Sequence, residues 1–590
     1  MNRDVLSART RESVGLESLF GGSGSTHPRA FLVAVALVLA AGVWAGNWCF
    51  EQMTTPWQRG MVWAGVQARW LSLDWSQITA PNRDDTGTVT AGPEEIARYT
   101  QKVMGDLHVE MALALLGALV VAFMAAFVLR ALAARAGGEK LGDQHVRGAR
   151  LCRGPTDIER ILRRDKKLGP FRFATVPLMR DRECQHIVLV GTPGAGKSMV
   201  IKDVQMQVRE AGHKAMVFDP EGALVPPFFN SNTDVLLNPF DARMPGWNIW
   251  DELQNDYELA GFAEALFPAK SRDPFFDIAA RCVFSDIVRQ LRQDGRATNR
   301  DLYETATGLN VKQMHEFLCD RPGARHVDPA GERKSDSVLS TLVNKMEVWK
   351  YLPDCAAGEG FSIRNFVYDE QNNGWLFLAA PESQMPVLRD LFSLWTSVYV
   401  EAILSLPESR ERRIWTFLDE LPALNQIRLE PLLARGRKRG ACCVLGFQAL
   451  SQLSDIYGRD VSKTIRAACS TWWVGRQGDA ETAEEMSKIL GGAEVAEAYE
   501  SVGHSTNSSH ASFNRGRRRV VRPVVLGSEL MDLPDLHGYV RQATLPVTPV
   551  VVPVVTPTRV ADAHVPRPRP EAHRVPDIGG QRIGSAVLPC

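Results

Sequence analysis

The stretch LVGTPGAGKSMV, residues 189–200, carries an apolar strand into a glycine-rich turn that closes on Lys197 and Ser198. Gly191, Thr192, Pro193, Gly194, Ala195, Gly196, Lys197 and Ser198 satisfy the spacing GxxxxGK[ST] in full. Glycines there let backbone N–H groups turn inward around phosphate oxygens, and the following helix aims its positive end at the same point. In such a turn Lys197 reaches the β and γ phosphates and Ser198 Oγ ligates Mg²⁺. The competing reading is a plain structural turn; the apolar strand before it and the helical pattern after it favour the nucleotide. ATP and Mg²⁺ are the expected cofactors.

Working outward, HIVLV (186–190) feeds the turn, and KAMVFDPEG (214–222) and DVLLNPF (234–240) read as further strands. This is the strand–helix rhythm of an α/β parallel sheet. It stops over 251–350, where apolar residues recur at helical spacing, as in FFDIAARCVFSDIVRQL (275–291) and DSVLSTLVNKMEVWKYL (336–352). Strands resume at GWLFLAA (374–380), RIWTFLD (413–419), CCVLGFQ (442–448) and TWWVGR (471–476). The expected organisation is a nucleotide-binding domain in two parts, 171–250 and 351–545, split by an all-α insertion at 251–350. A Pro-rich tail at 546–590 reads as extended or disordered.

ATP hydrolysis also requires a carboxylate near Mg²⁺ and a group to orient water. IWTFLDELPALNQ (414–426) places Asp419 and Glu420 where a strand ends. Asp419 is the candidate Mg²⁺ ligand, directly or through a bound water, and Glu420 the candidate base. A helix N-cap is the alternative use of such a pair. Gln448 ends another strand, and a strand lying between those of the two motifs brings its amide towards the γ-phosphate. LLARGRKRGA (432–441) carries Arg435, Arg437, Lys438 and Arg439. These are either a solvated helix end or an arginine lent to a neighbour's γ-phosphate, which requires a ring of subunits.

Two uncharged apolar runs precede all of this, at 30–50 and 111–129, each long enough to cross a hydrocarbon core of about 30 Å as a helix. The first 29 residues hold four Lys/Arg and residues 130–169 hold eleven, whereas the connection 51–110 holds five against eight acids. That asymmetry predicts a cytoplasmic N-terminus at 1–29, a periplasmic connection at 51–110 and a basic linker at 130–170 leading to a cytoplasmic body. Trp44, Trp48, Trp57, Trp63, Trp70 and Trp75 suit an interfacial aromatic belt.

At 590 residues the chain exceeds one compact domain. Lys plus Arg equals Asp plus Glu, so attraction to an anionic partner must come from local patches such as RGRKRG (435–440) and NRGRRRVVR (514–522). The ten cysteines include no CxxC, which points to reduced thiols rather than a metal or disulfide framework.

QHIVLVGTPGAGKS, FDPEG, LNPFD, SIRNF, FLDELPAL, GRKRGACCVLGFQALSQLSDIYG, TWWVGRQGDAETAEEMSKILG and RPVVLGSELMDLPDLHGYV follow one another in this order. Together they resemble the coupling proteins of bacterial type IV secretion and conjugation, the TraD type. The resemblance implies a RecA-like P-loop domain with an inserted all-α domain, preceded by two transmembrane helices. It further implies a homo-oligomeric, hexameric ring ATPase of the bacterial inner membrane. Such a ring receives single- or double-stranded DNA from a relaxase or relaxosome and drives it into type IV secretion channel components. Lys197, Ser198, Asp419, Glu420 and Gln448 fall on the family's nucleotide positions, and Arg437 on that of an arginine acting in trans. An ATPase that moves protein substrates through a secretion channel is the alternative.

Other membrane-bound motors fit less well. A metalloprotease needs HExxH, and His315-Glu-Phe-Leu-Cys319 lacks the second histidine. A chromosome-segregation translocase needs a winged-helix reader, and little regular pattern follows Gly538. A channel-gating hub that uses ATP only to order a ring does not need an intact hydrolytic set.

Overall fold

The computed structural model describes residues 27–70, 77–82, 87–141, 144–268, 274–503 and 512–568. Most of 1–29, the end of the tail from 569, Trp75 and the side chain of Trp70 lie outside these residues. Backbone contacts divide the chain into two units, Met1–Val146 with Glu494–Val520, and Arg147–Ala493 with Val521–Cys590.

In the first unit the helices α1 (His27–Met53) and α2 (His108–Leu141) pack antiparallel, with Gly42 and Gly46 against Ala118 and Gly117 against Cys49. Their other faces expose Leu37, Leu39, Val43, Trp44, Leu115, Leu119, Phe123 and Phe127. Among the described residues one segment, His108–Val128, is long and apolar enough to cross a membrane, with a mean hydropathy of 2.6. The residues between the helices are more than a plain connection. Helices Pro56–Trp70 and Pro93–Asp106 and a hairpin of Ile78–Pro81 with Thr88–Ala91 close on Met61, Ala64, Ile78, Ala80 and Ile96. Trp57, read as part of an aromatic belt, instead packs against this small core and donates its Nε1–H to Asn82 O at 2.6 Å.

The second unit is organised by a nine-stranded sheet. Its strands are β1 (Ile187–Val190), β2 (Lys214–Asp219), β3 (Val235–Leu236), β4 (Trp375–Ala379), β5 (Ile414–Leu418), β6 (Ala441–Phe447), β7 (Thr471–Val474), β8 (His537–Gln542) and β9 (Thr548–Val551). Their order is β9-β8-β7-β1-β6-β5-β2-β4-β3. The seven strands from β7 to β3 are parallel, and β8 and β9 add an antiparallel edge. A parallel sheet covered on both faces explains why these strands read as unbroken apolar runs. Alternation still sorts them: Val188, Met216, Phe218, Leu376 and Leu445 belong to one core, and Leu189, Val217, Phe377, Phe417 and Val444 to the other.

Between Ile249 and Tyr368 the described elements are helices, chief among them α4 (Phe275–Gln293) and α5 (Glu332–Met346). This run sits against α6 (Met385–Ser405), which covers one face of the sheet; Trp395 of α6 meets Trp247 edge-on with ring centroids 5.5 Å apart. The opposite face is covered by α3 (Lys197–Glu210).

Two segments are more ordered than their composition suggests. The basic linker 130–170 contains the folded helix Pro155–Arg164, whose Ile158 and Leu162 enter the core while Glu159 ties Arg163 and Arg172 at 2.6 and 3.0 Å. The tail expected from 546 begins as β9 and continues to residue 568 as a strap over the nucleotide domain. Val552 N–H donates to Leu536 O, Val560 N–H to Pro226 O and Arg567 N–H to Phe240 O. Alternating valines bury one side of the strap, with Val550 and Val552 in the core, so a proline-rich stretch with little helix or hairpin signal is nonetheless held.

Candidate nucleotide site

Register brings the site together. Val190 pairs with Phe447, so β1 and β6 end level; Leu445 pairs with Leu418 and Leu418 with Phe218, so β2 and β5 end one and two residues short of them on the same edge. The residues just past those ends share the carboxyl edge of the sheet, where open α/β folds take their ligands. They are Gly191 after β1, Asp419 after β5 and Gln448 after β6, with Asp219 ending β2. The amide-bearing strand β6 lies between β1 and β5.

The glycine turn leads straight into α3. Gly196 caps the helix at φ 113°, a conformation side-chain-bearing residues rarely adopt, and Leu536 and Val552 close in from behind it. Arg476 O accepts from Thr192 N–H at 2.9 Å and braces the turn from β7. Lys197 is buried, and its Nζ donates to Gly191 O at 2.6 Å and Thr192 O at 3.3 Å. Burial lowers its pKa, and the carboxylates of Glu420, Asp419 and Glu221 oppose that shift.

Ser198 Oγ donates to Asp419 Oδ2 at 3.2 Å. Asp419 has its pKa pushed up to about 7, chiefly by burial and then by the negative charge of Asp219. A hydroxyl beside a buried carboxylate, with a second carboxylate near, is a set of hard oxygen donors short of positive charge, which fits Mg²⁺. Glu420 does not serve as a helix cap: its carboxylate makes no capping bond to the short helix Leu421–Ala423. Instead Glu420 Oε2 accepts from Gln448 Nε2 at 3.3 Å. Burial raises its pKa, and Lys197 opposes the shift.

Arg437 stands apart from this group. It lies in the short helix Gly436–Arg439, ahead of the first residue of β6, whereas Gln448 follows the last. Seven strand residues separate the two by about 20 Å, so Arg437 cannot serve the nucleotide held by its own chain. Arg435 and Arg437 are exposed, Arg439 is tied to Leu406 O at 3.0 Å, and Lys438 lies 3.4 Å from Glu408. The second basic cluster lies on the strand Ser512–Pro523, where Arg518 and Arg519 lie 3.3 and 3.8 Å from Glu497 and Glu494. Part of that cluster's charge is therefore met within the chain.

A model of the type IV secretion-system coupling protein DNA-binding domain matches residues 170–553. The chain belongs to this family. The coupling protein TraD of Escherichia coli strain K12 is 29% identical over 462 residues, which is 77% of this chain and 64% of TraD. This chain therefore spans a little under two thirds of that relative. The conjugative coupling protein TrwBΔN70, in its unbound monoclinic form, superimposes with a TM-score of 0.65 at 30% identity, over 72% of this chain and 97% of that one. TrwB in complex with ADP and Mg²⁺ gives a TM-score of 0.64 at 29% identity, over 72% and 98%.

Reading the coupling-protein sequence alone leaves two contributors to the site unassigned. Asp219 is buried and accepts from Leu224 N–H at 2.6 Å and Glu221 N–H at 3.3 Å, which shapes the loop beside Asp419. FDPEG carried that signal as a carboxylate at a strand end. Arg476, bonded to Asp535 at 2.8 Å, follows β7 in a stretch to which no role in the site was given. His315 of the near-HExxH stretch has its Nδ1 3.1 Å from Ala324 O.

Proposed function

We propose that this chain is a membrane-anchored ATPase that delivers relaxase-bound DNA to a type IV secretion channel and drives it across the inner membrane. The convergence of Lys197, Ser198, Asp419, Glu420 and Gln448 on one sheet edge carries this reading. The loop N–H groups and Lys197 hold the β and γ phosphates, and Ser198 and Asp419 hold Mg²⁺. Mg²⁺ held there would offset the negative charge of the phosphates. Glu420 takes the proton of the attacking water, and Gln448 fixes its carboxylate. Arg437 completes the site of a neighbouring copy, which makes a closed ring the working form, hexameric as the family resemblance implies. Both α1 and α2 span the bilayer, with the termini cytoplasmic; the apolar outer faces of the helix pair and the Lys/Arg excess on either side support this.

The test is ATPase activity of the full-length protein in lipid nanodiscs, with and without single- and double-stranded DNA. DNA stimulation is expected, and Lys197→Ala abolishes turnover. Turnover indifferent to DNA in assembled rings overturns the DNA-motor reading. For Arg437, mixing Arg437→Ala with Lys197→Ala subunits restores part of the activity if the arginine acts in trans.

A further inference from the structure

His186 lies at the foot of the P-loop strand, one residue before β1, fully inside the protein and outside the catalytic group. Its backbone sits at φ 58° and ψ 149°, a region in which non-glycine residues are held only by their surroundings. Two hydrogen bonds hold the ring. Cys443 N–H donates to Nδ1 at 3.2 Å, so the ring proton is on Nε2, which donates to Leu433 O at 2.9 Å. Burial, reinforced by the nearby charge of Arg437, lowers its pKa to about 4, so the ring stays neutral in the cytoplasmic range.

The acceptor's position gives this bond its meaning. Leu433 lies in the last turn of α7 (Leu429–Arg435), where carbonyls outnumber the donors the helix supplies. The chain then tightens into Gly436–Arg439, which presents Arg437. One imidazole thus joins the strand that leads to the chain's own nucleotide to the helix end that carries the arginine for another.

We propose that His186 is a positioning residue for Arg437: its Nε2–H fixes the last turn of α7 against the P-loop strand and so sets where the arginine is presented to a neighbouring copy. This rests on the reading of Arg437 as a group acting in trans.

Full-length rings of four variants test it. His186→Asn keeps an acceptor for Cys443 N–H but has no donor long enough for Leu433 O, whereas the longer amide of His186→Gln reaches it. His186→Gly suits the backbone conformation, so it folds, yet lacks both bonds. His186→Asn and His186→Gly are expected to lower kcat by about 10- to 100-fold with the KM for ATP unchanged, and His186→Gln to retain most of the rate. The double variant His186→Asn/Arg437→Ala is expected to be no slower than Arg437→Ala alone. His186→Asn subunits recover activity when mixed with Lys197→Ala subunits and fail to recover with Arg437→Ala subunits. A normal kcat in His186→Gly, a Gln variant as slow as Asn, or multiplicative losses in the double variant overturns the proposal. Recovery of Arg437→Ala by Lys197→Ala without recovery of His186→Asn overturns it alone. No recovery of Arg437→Ala overturns the trans reading together with it.

Discussion

Ser198 Oγ and Asp419 Oδ2 meet at 3.2 Å although 221 positions separate them in the chain. One residue opens a helix and the other follows a strand two places away in the sheet, and only the shared carboxyl edge of β1, β6 and β5 brings them together.

Stability without divalent cation should fall as pH rises from about 4 to about 7. Asp419 titrates near 7 in the fold against an ordinary 3.8, so the folded protein keeps a proton that the unfolded chain releases over that window. Its contribution is therefore fully present below pH 4 and lost as pH rises through 7. Asp219 and Glu420, both raised by burial, act with the same sign. Chemical denaturation in EDTA across this range measures the slope, and Asp419→Asn should flatten it.

Glu420→Gln should lower kcat by about 10²–10⁴-fold while leaving ATP binding intact, because the water loses its base and the phosphate contacts remain. Gln448→Ala should act in the same direction more mildly, since it removes the group that holds the Glu420 carboxylate. Single-turnover kinetics beside equilibrium nucleotide binding separates the two effects; loss of binding in Glu420→Gln would argue against its role as base.

Gly446 lies in β6 beside the backbone of Asp419, and a Cβ there would come 2.0 Å from Asp419 O. Gly446→Ala must push β5 and β6 apart at the point where Asp419 and Gln448 emerge. A loss of about 1–3 kcal/mol is expected by denaturant titration, with a fall in kcat larger than in a distant variant of equal stability.

Val552 backs the P-loop from the strap and is buried. Val552→Ala should cost about 2 kcal/mol of stability and weaken nucleotide binding, because Gly196 loses support behind the helix start. Calorimetric nucleotide affinity is the readout, and unchanged affinity would show that the strap does not brace the turn.

The parallel strands and the edge on which the site sits were legible because each buried strand is a short apolar run ending in a residue with chemistry: Gly191, Asp419, Gln448. The helical stretch over 251–350 was legible from its spacing alone, whereas the short helix Ile363–Tyr368 beyond it was not. Other features left weaker marks. β9 contains Pro549 and the strap contains Pro553, and prolines mask strand character because they donate no hydrogen bond. Helix Pro155–Arg164 was hidden by its charges, since only Ile158 and Leu162 face inward. Trp57 shows that an aromatic near an apolar helix does not disclose whether its indole N–H meets headgroups or a carbonyl. His186 left no trace, for its role depends on Leu433, far away in the chain.

The antiparallel border of the sheet bears on crowding. In the proposed ring many copies of one chain lie side by side, and an open strand margin would invite them to fuse into a continuous β-ribbon. β9 discourages this: Pro549 lies within it, Pro553 follows, and Leu151 runs alongside at Val547. Copies that met here would have few donors to offer one another, so contacts between them would fall to side chains.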